Sequence, residues 1–130
     1  MARLLTVCVG GFFGTGARYV LGGWVAHRFG ESFPWGTLAV NVTGSFAVGL
    51  VYFVSGPDSP VVVSITVRQF LLAGILGGFT TFSSFSLQTL NLLRDGQLVP
   101  ACANVAGSVV IGLVAAAAGD AVARSIWMPR

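Results

Sequence analysis

Residues 69–93 read QFLLAGILGGFTTFSSFSLQTLNLL, an unbroken stretch without a charged side chain. A helix crosses roughly 30 Å of hydrocarbon with about 20 apolar residues at about 1.5 Å of rise each. The stretch is therefore long enough to span a bilayer. Its centre, Gly74-Ile75-Leu76-Gly77-Gly78-Phe79-Thr80-Thr81-Phe82-Ser83-Ser84-Phe85-Ser86, is unusual for such a helix. Two adjacent glycines and a Thr-Thr pair weaken helix formation there. Two readings follow from these residues and both stay open. Either the helix is intact and uses small residues for close packing, or it breaks. A break at mid-membrane is tolerated only where the freed backbone groups are buried in protein, face water or bind an ion.

Working outward, residues 4–17, 32–57 and 96–119 are also free of charge, with Arg18 interrupting the first run before apolar sequence resumes to Ala26. Turn chemistry separates the runs: His27-Arg28-Phe29-Gly30-Glu31-Ser32-Phe33-Pro34, then Ser55-Gly56-Pro57-Asp58-Ser59-Pro60, then the tight Arg94-Asp95-Gly96-Gln97. The chain reads as an all-α membrane protein, residues 1–130 forming one domain with transmembrane helices near 3–26, 35–55, 62–93 and 98–124. Met1-Ala2-Arg3 before an apolar run has the look of a cleaved leader, but the run continues past Arg18 and three more spans follow, so it reads as a span. Gly10 with Gly14, Gly74 with Gly78, and Ala103 with Gly107 have the spacing that lets helix backbones approach closely in lipid.

Composition excludes the soluble alternatives. Charged residues are 8% and hydrophobic ones 55%, against about 25% charged in ordinary globular domains. The basic residues are all arginine and scattered singly, without the clustered stripe a nucleic-acid surface needs, so no nucleic acid is expected. Arg3, Arg68, Arg124 and Arg130 fall on one side of the membrane, Arg28 and Arg94 on the other with Arg18 nearer to them. So weak an asymmetry sets no clear orientation, and the chain is expected to insert both ways. Cys8 and Cys102 lie alone in apolar runs and read as small buried hydrophobes. No acid-base pair, phosphate loop or His/Asp/Glu cluster is present, so the chain does not read as an enzyme.

What the spans do carry is neutral hydrogen-bonding groups in rows. Thr37, Asn41 and Ser45 recur every four residues and share a helix face, as do Asn104, Ser108 and Gly112. Any one hydroxyl could tie helices together or donate to an anion. An amide at mid-span, Asn41, needs a partner of one kind or the other. Phe79, Phe82 and Phe85 recur every three residues. They form either a packing stripe or a set of rings whose positive edges can face an anion. Arg18, the one charge inside a span, either snorkels to the interface or lines a wet vestibule.

Together these residues resemble the Fluc (CrcB-type) fluoride channels across all four spans. The first carries Gly10-Gly11-Phe12-Phe13-Gly14-Thr15-Gly16-Ala17-Arg18-Tyr19, the second Trp35-Gly36-Thr37-Leu38-Ala39-Val40-Asn41-Val42-Thr43-Gly44-Ser45-Phe46, and the third Gly77-Gly78-Phe79-Thr80-Thr81-Phe82-Ser83-Ser84-Phe85-Ser86. The fourth matches mainly through Gly107-Ser108 and its small residues. The resemblance implies a multi-pass protein of the inner (plasma) membrane, pairing with itself as an inverted homodimer with two passive fluoride pathways. It implies a third helix broken at the Gly-Gly-x-Thr-Thr string. There the backbone carbonyls at Gly77 and Thr80 of both copies would hold a structural Na⁺. It assigns Phe82, Phe85 and Asn41 to the pathway, extends it through Thr37, Ser83, Ser86 and Ser108, and puts Arg18 at an electropositive vestibule. Two positions depart from the pattern: Gln88 stands where an acid is frequent, and the fourth-span row ends in Gly112. The rival classes are a small multidrug-type transporter, which needs a deep carboxylate for proton coupling that the first span lacks, and a membrane subunit with no transport of its own.

Overall fold

The computed structural model describes residues 1–57 and 59–128. Asp58, in the second turn, and Arg130, in the arginine count, lie outside the described residues. The described chain is all-helical, with four helices long and apolar enough to cross a membrane: Ala2–Phe29, Trp35–Val54, Ile65–Arg94 and Leu98–Trp127.

The helix ends differ from the expected ones where caps decide them. The first helix runs on through His27-Arg28-Phe29 and stops at Gly30, whose φ of 84° only glycine adopts without strain. The third begins at Ile65 rather than near residue 62, because extended Ser64 accepts the Val67 N–H on its hydroxyl at 3.3 Å. The fourth continues to Trp127.

Glycine seams hold the four together. Gly10 and Gly14 of the first span face the third, where a Cβ on Gly14 would collide with the Ile75 carbonyl oxygen. Gly74 and Gly78 return the contact, each meeting first-span backbone. The second and fourth spans close in the same way, Gly49 against the Ala116 carbonyl and Gly119 against that of Phe46. Such proximity gives dispersion contact in lipid, where no hydrophobic force draws helices together. The third expected pair makes no seam: Ala103 is exposed and a Cβ on Gly107 would touch nothing closer than 3.9 Å.

Large apolar side chains cover the outside, Phe12, Leu113 and Val62 among them. Cys8 and Cys102 belong to this surface and are exposed, not buried. A lipid-facing helix turns its apolar residues outward while small ones fill the interior, the reverse of the rule in water. At one end Arg68 stacks 5.1 Å from the Tyr52 ring and Arg124 4.7 Å from that of Phe53. Asp120 pairs with Arg124 at 2.7 Å.

Within Ile65–Arg94 the backbone changes character four times. Ile65–Gln69 is α-helical, Phe70–Leu76 widens to π-helical bonding, and Gly77–Phe79 makes one α-turn. Thr80 (φ −79°, ψ 156°) and Thr81 (φ −148°, ψ 111°) are then extended before Phe82–Arg94 resumes as α-helix.

Candidate ion site at the third span

Two extended residues in mid-span must find partners for their peptide groups. Thr80 N–H still reaches back to the Leu76 carbonyl at 3.0 Å. Thr81 does not continue the ladder. Its N–H donates to Asn41 Oδ1 at 2.8 Å, and its carbonyl accepts from Asn41 Nδ2 at 3.0 Å. The Thr81 hydroxyl oxygen then caps the new helix by accepting the Ser84 N–H at 3.2 Å. A half-helix thus opens at Phe82 inside the span, and the positive end of its peptide dipole lies there.

Beside that end is a cavity of about 330 Å³ lined by Asn41, Ser45, Thr80, Thr81, Phe82, Phe85 and Ser108, with Val48, Val109 and Ala116 as its apolar wall. Among the described residues no ionisable side chain lines it. Phe85 is buried, while Phe82 is 78% exposed; their centroids lie 5.4 Å apart at 48°. Ser108 sits in a π-helical turn, Gly107–Ile111, its Oγ 3.5 Å from Asn104 Oδ1. Ser45, read above only as part of a row, has no hydrogen-bond partner among the described residues. A Cβ on Gly112 would lie 3.6 Å from its Oγ, so this hydroxyl stands where the fourth-span row lacks a side chain.

Of the expected pathway residues, Asn41, Phe82, Phe85 and Ser108 meet in this cavity. Thr37 lies apart from them, in a cavity of about 320 Å³ with Arg18, Thr81 and Ser84, and in a neighbouring one with Gln88. Gln88 Oε1 is buried without a hydrogen-bond partner among the described residues. Arg18 reaches Thr80, its Nη1 3.4 Å from the carbonyl oxygen. Ser83 and Ser86 are exposed and line none of these cavities. Ser86 donates to the Phe82 carbonyl at 2.9 Å, and Ser83 Oγ lies 3.4 Å from Thr81 Oγ1. Asn104 is fully enclosed and donates to the Thr89 hydroxyl at 2.9 Å, tying the fourth span to the half-helix.

A cation here would have to be held by backbone. Among the described residues no group of three His, Cys, Asp or Glu could hold a metal. The carbonyls of Gly77 and Thr80 do offer oxygen: no N–H among the described residues donates to Gly77, and Thr80 accepts only from Arg18. Unwound carbonyls of this kind suit an alkali cation, although two from one chain are too few without a second copy.

The family model described as "CrcB-like protein, Camphor Resistance (CrcB)" matches residues 5–120, which include every residue of the site. The chain belongs to the CrcB-like family. A protein of Opitutus terrae named "Fluoride-specific ion channel FluC" is 53% identical over 115 residues, 88% of this chain and 87% of that one. Proteins of the same name from Methylocella silvestris and Anaeromyxobacter sp. (strain K) are 46% and 47% identical, covering 94% and 98% of this chain and 93% and 98% of theirs. With four apolar helices and relatives named as channels, this CrcB-like chain is a multi-pass membrane protein.

Proposed function

We propose that the chain is a fluoride-selective channel, not an enzyme, carrying fluoride passively out of the cell. Its assembly is an inverted homodimer of dual topology, with a third helix functionally broken at Thr80–Thr81, two pathways and a structural Na⁺ at the interface. The observation that carries this reading is the uncharged cavity that joins Asn41, Ser108, Phe82 and Phe85 at the start of the half-helix.

Fluoride is small and strongly hydrated, so a pathway must replace its water with donors at close range. The Ser45 hydroxyl, the free N–H of the Asn41 amide and the first N–H groups of the half-helix supply donors, Ser108 joins them when its proton turns from Asn104 Oδ1, and the ring edges of Phe82 and Phe85 supply positive quadrupole. None is a fixed cation, so an ion held by them can leave, which conduction requires. Arg18, beside Thr37, raises the local concentration of anions at the mouth. Gly77 and Thr80, whose carbonyls are not engaged by helix donors, are the groups that would hold Na⁺. When bound, that ion supplies a fixed positive charge between the pathways. Reconstituted vesicles containing this chain alone, followed with a fluoride electrode, should lose fluoride down its gradient and retain chloride. Equal loss of both anions rejects the selectivity, and loss of neither rejects the channel.

A further inference from the structure

We infer that Asn41 is a positioning residue that keeps the Gly77 carbonyl free, so that one amide in the second span couples the anion cavity to the cation ligands. The inference rests on the Na⁺ part of the reading above. In a continuous helix the Thr81 N–H would donate to the carbonyl four residues back, that of Gly77. Here the N–H goes to Asn41 Oδ1 at 2.8 Å and the Thr81 carbonyl takes Asn41 Nδ2 at 3.0 Å. Both polar groups of one extended residue are thus satisfied by one side chain from a different span. A carboxamide is the side chain that sets a neutral acceptor and a donor next to each other, as this pairing needs. Space is left at the carbonyl it releases: Gly77 is exposed, and a Cβ there would meet only the Leu72 carbonyl oxygen, at 3.5 Å.

Remove the amide, and the Thr81 N–H has two options in lipid. It stays unpaired, which is costly away from water, or it returns to Gly77 and takes the oxygen from the cation. Asn41→Leu therefore weakens Na⁺ binding. Asn41→Asp gives up the donor to the Thr81 carbonyl but keeps an acceptor for the Thr81 N–H, and so leaves Gly77 free. Orienting groups next to ligands typically change metal affinity by about 10–100-fold, so Asn41→Leu should need at least roughly tenfold more Na⁺ for the same protection.

The test is thermal unfolding of the purified full chain in detergent, titrated with Na⁺ against N-methylglucamine. Wild type and Asn41→Asp should gain stability with Na⁺, and Asn41→Leu should gain it only at the higher concentration. A purely structural Asn41 would lower the midpoint of the variants and leave their Na⁺ response at the wild-type concentration, which overturns the inference. A variant that does not fold leaves a direct measurement on the wild type. Carbonyl-¹³C glycine labelling should show an infrared band shift on exchange of N-methylglucamine for Na⁺ that is absent in unlabelled protein, and no shift overturns the free-carbonyl claim. The two readings fail separately. Fluoride flux without any Na⁺ response in wild type removes this inference and spares the channel, whereas an Asn41-dependent Na⁺ response without flux supports it and removes the channel.

Discussion

The two halves of the third span are held by different means. The half before Thr80 is locked by backbone: Gly74 and Gly78 press on the first span so closely that a single added carbon would collide. The half after Thr81 buries only Phe85 and Leu92 and leaves Phe82, Leu87, Leu90 and Leu93 outward. Its polar ties are side-chain bonds, Thr81 to Asn41 above and Thr89 to Asn104 below. A rigid half and a lightly held half meet at two extended residues. That arrangement fixes the backbone before the extended pair and leaves the helix after it held mainly by side-chain bonds.

The largest effect tests the locked half. In Gly14→Val the new carbons meet the Ile75 carbonyl and the Phe79 amide, backbone that cannot give way. Overpacking costs about 1–3 kcal/mol and sometimes more, and backbone collision belongs at the top of that range. The variant should lose its monodisperse peak on a sizing column. Gly16→Val, two residues on, meets open space, and its folded yield should stay near wild type, within about 0.5 kcal/mol. Equal yields for the two would mean that glycine contact does not hold the first span to the third.

The next effect tests the open half and its rings. Isoleucine keeps most of the apolar bulk, and such a swap costs about 1.5 kcal/mol or less. Phe85→Ile draws on that allowance because its ring is buried. Phe82→Ile, whose ring is largely exposed, should not change the stability of the chain. If the ring edges face fluoride, each is worth about 1 kcal/mol, or about fivefold in occupancy. Flux should fall at least that far in both, with a stability loss in Phe85→Ile alone. Normal flux in both would make the rings packing only.

Four spans were legible because long gaps between charges and turn-forming clusters are local signals, and a missing charge over 69–93 needs no partner to be meaningful. The seam between Gly10 and Gly74 was half legible: spacing marks which residues allow close approach, and says nothing of which helix arrives. Ala103 with Gly107 had the same spacing and makes no close backbone contact with another span. For the site, the meeting of Asn41 with Phe82, Phe85 and Ser108 followed the family resemblance, while Asn41's engagement with Thr81 did not, since its partner is distant in the chain. Ser83 and Ser86, which the family resemblance assigned to the pathway, line none of the cavities within the single chain. Periodicity assigns a face, yet whether a serine proton goes to its own helix or into a cavity depends on a rotamer that no spacing encodes.

That last distinction gives the smallest expected effect. Ser86 lies one turn beyond Phe82 on the half-helix, is exposed, and already spends its proton on the Phe82 carbonyl at 2.9 Å. Ser45 lines the cavity and donates to no described group. A net hydrogen bond is worth about 1 kcal/mol, so a donor that serves the ion should be worth about fivefold in occupancy. Ser45→Ala should therefore lower fluoride flux by about that factor, while Ser86→Ala, which removes a bond the helix can do without, should stay within about twofold of wild type. Both variants keep the helix, since alanine is the best helix former, and equal sizing-column profiles would show it. The reverse result, with Ser86 sensitive and Ser45 silent, would move the ion to the outward face of Phe82. The pathway would then lie on the outer surface of the chain, where the proposed dimer would have to cover it, and the cavity within one chain would be a packing defect beside it.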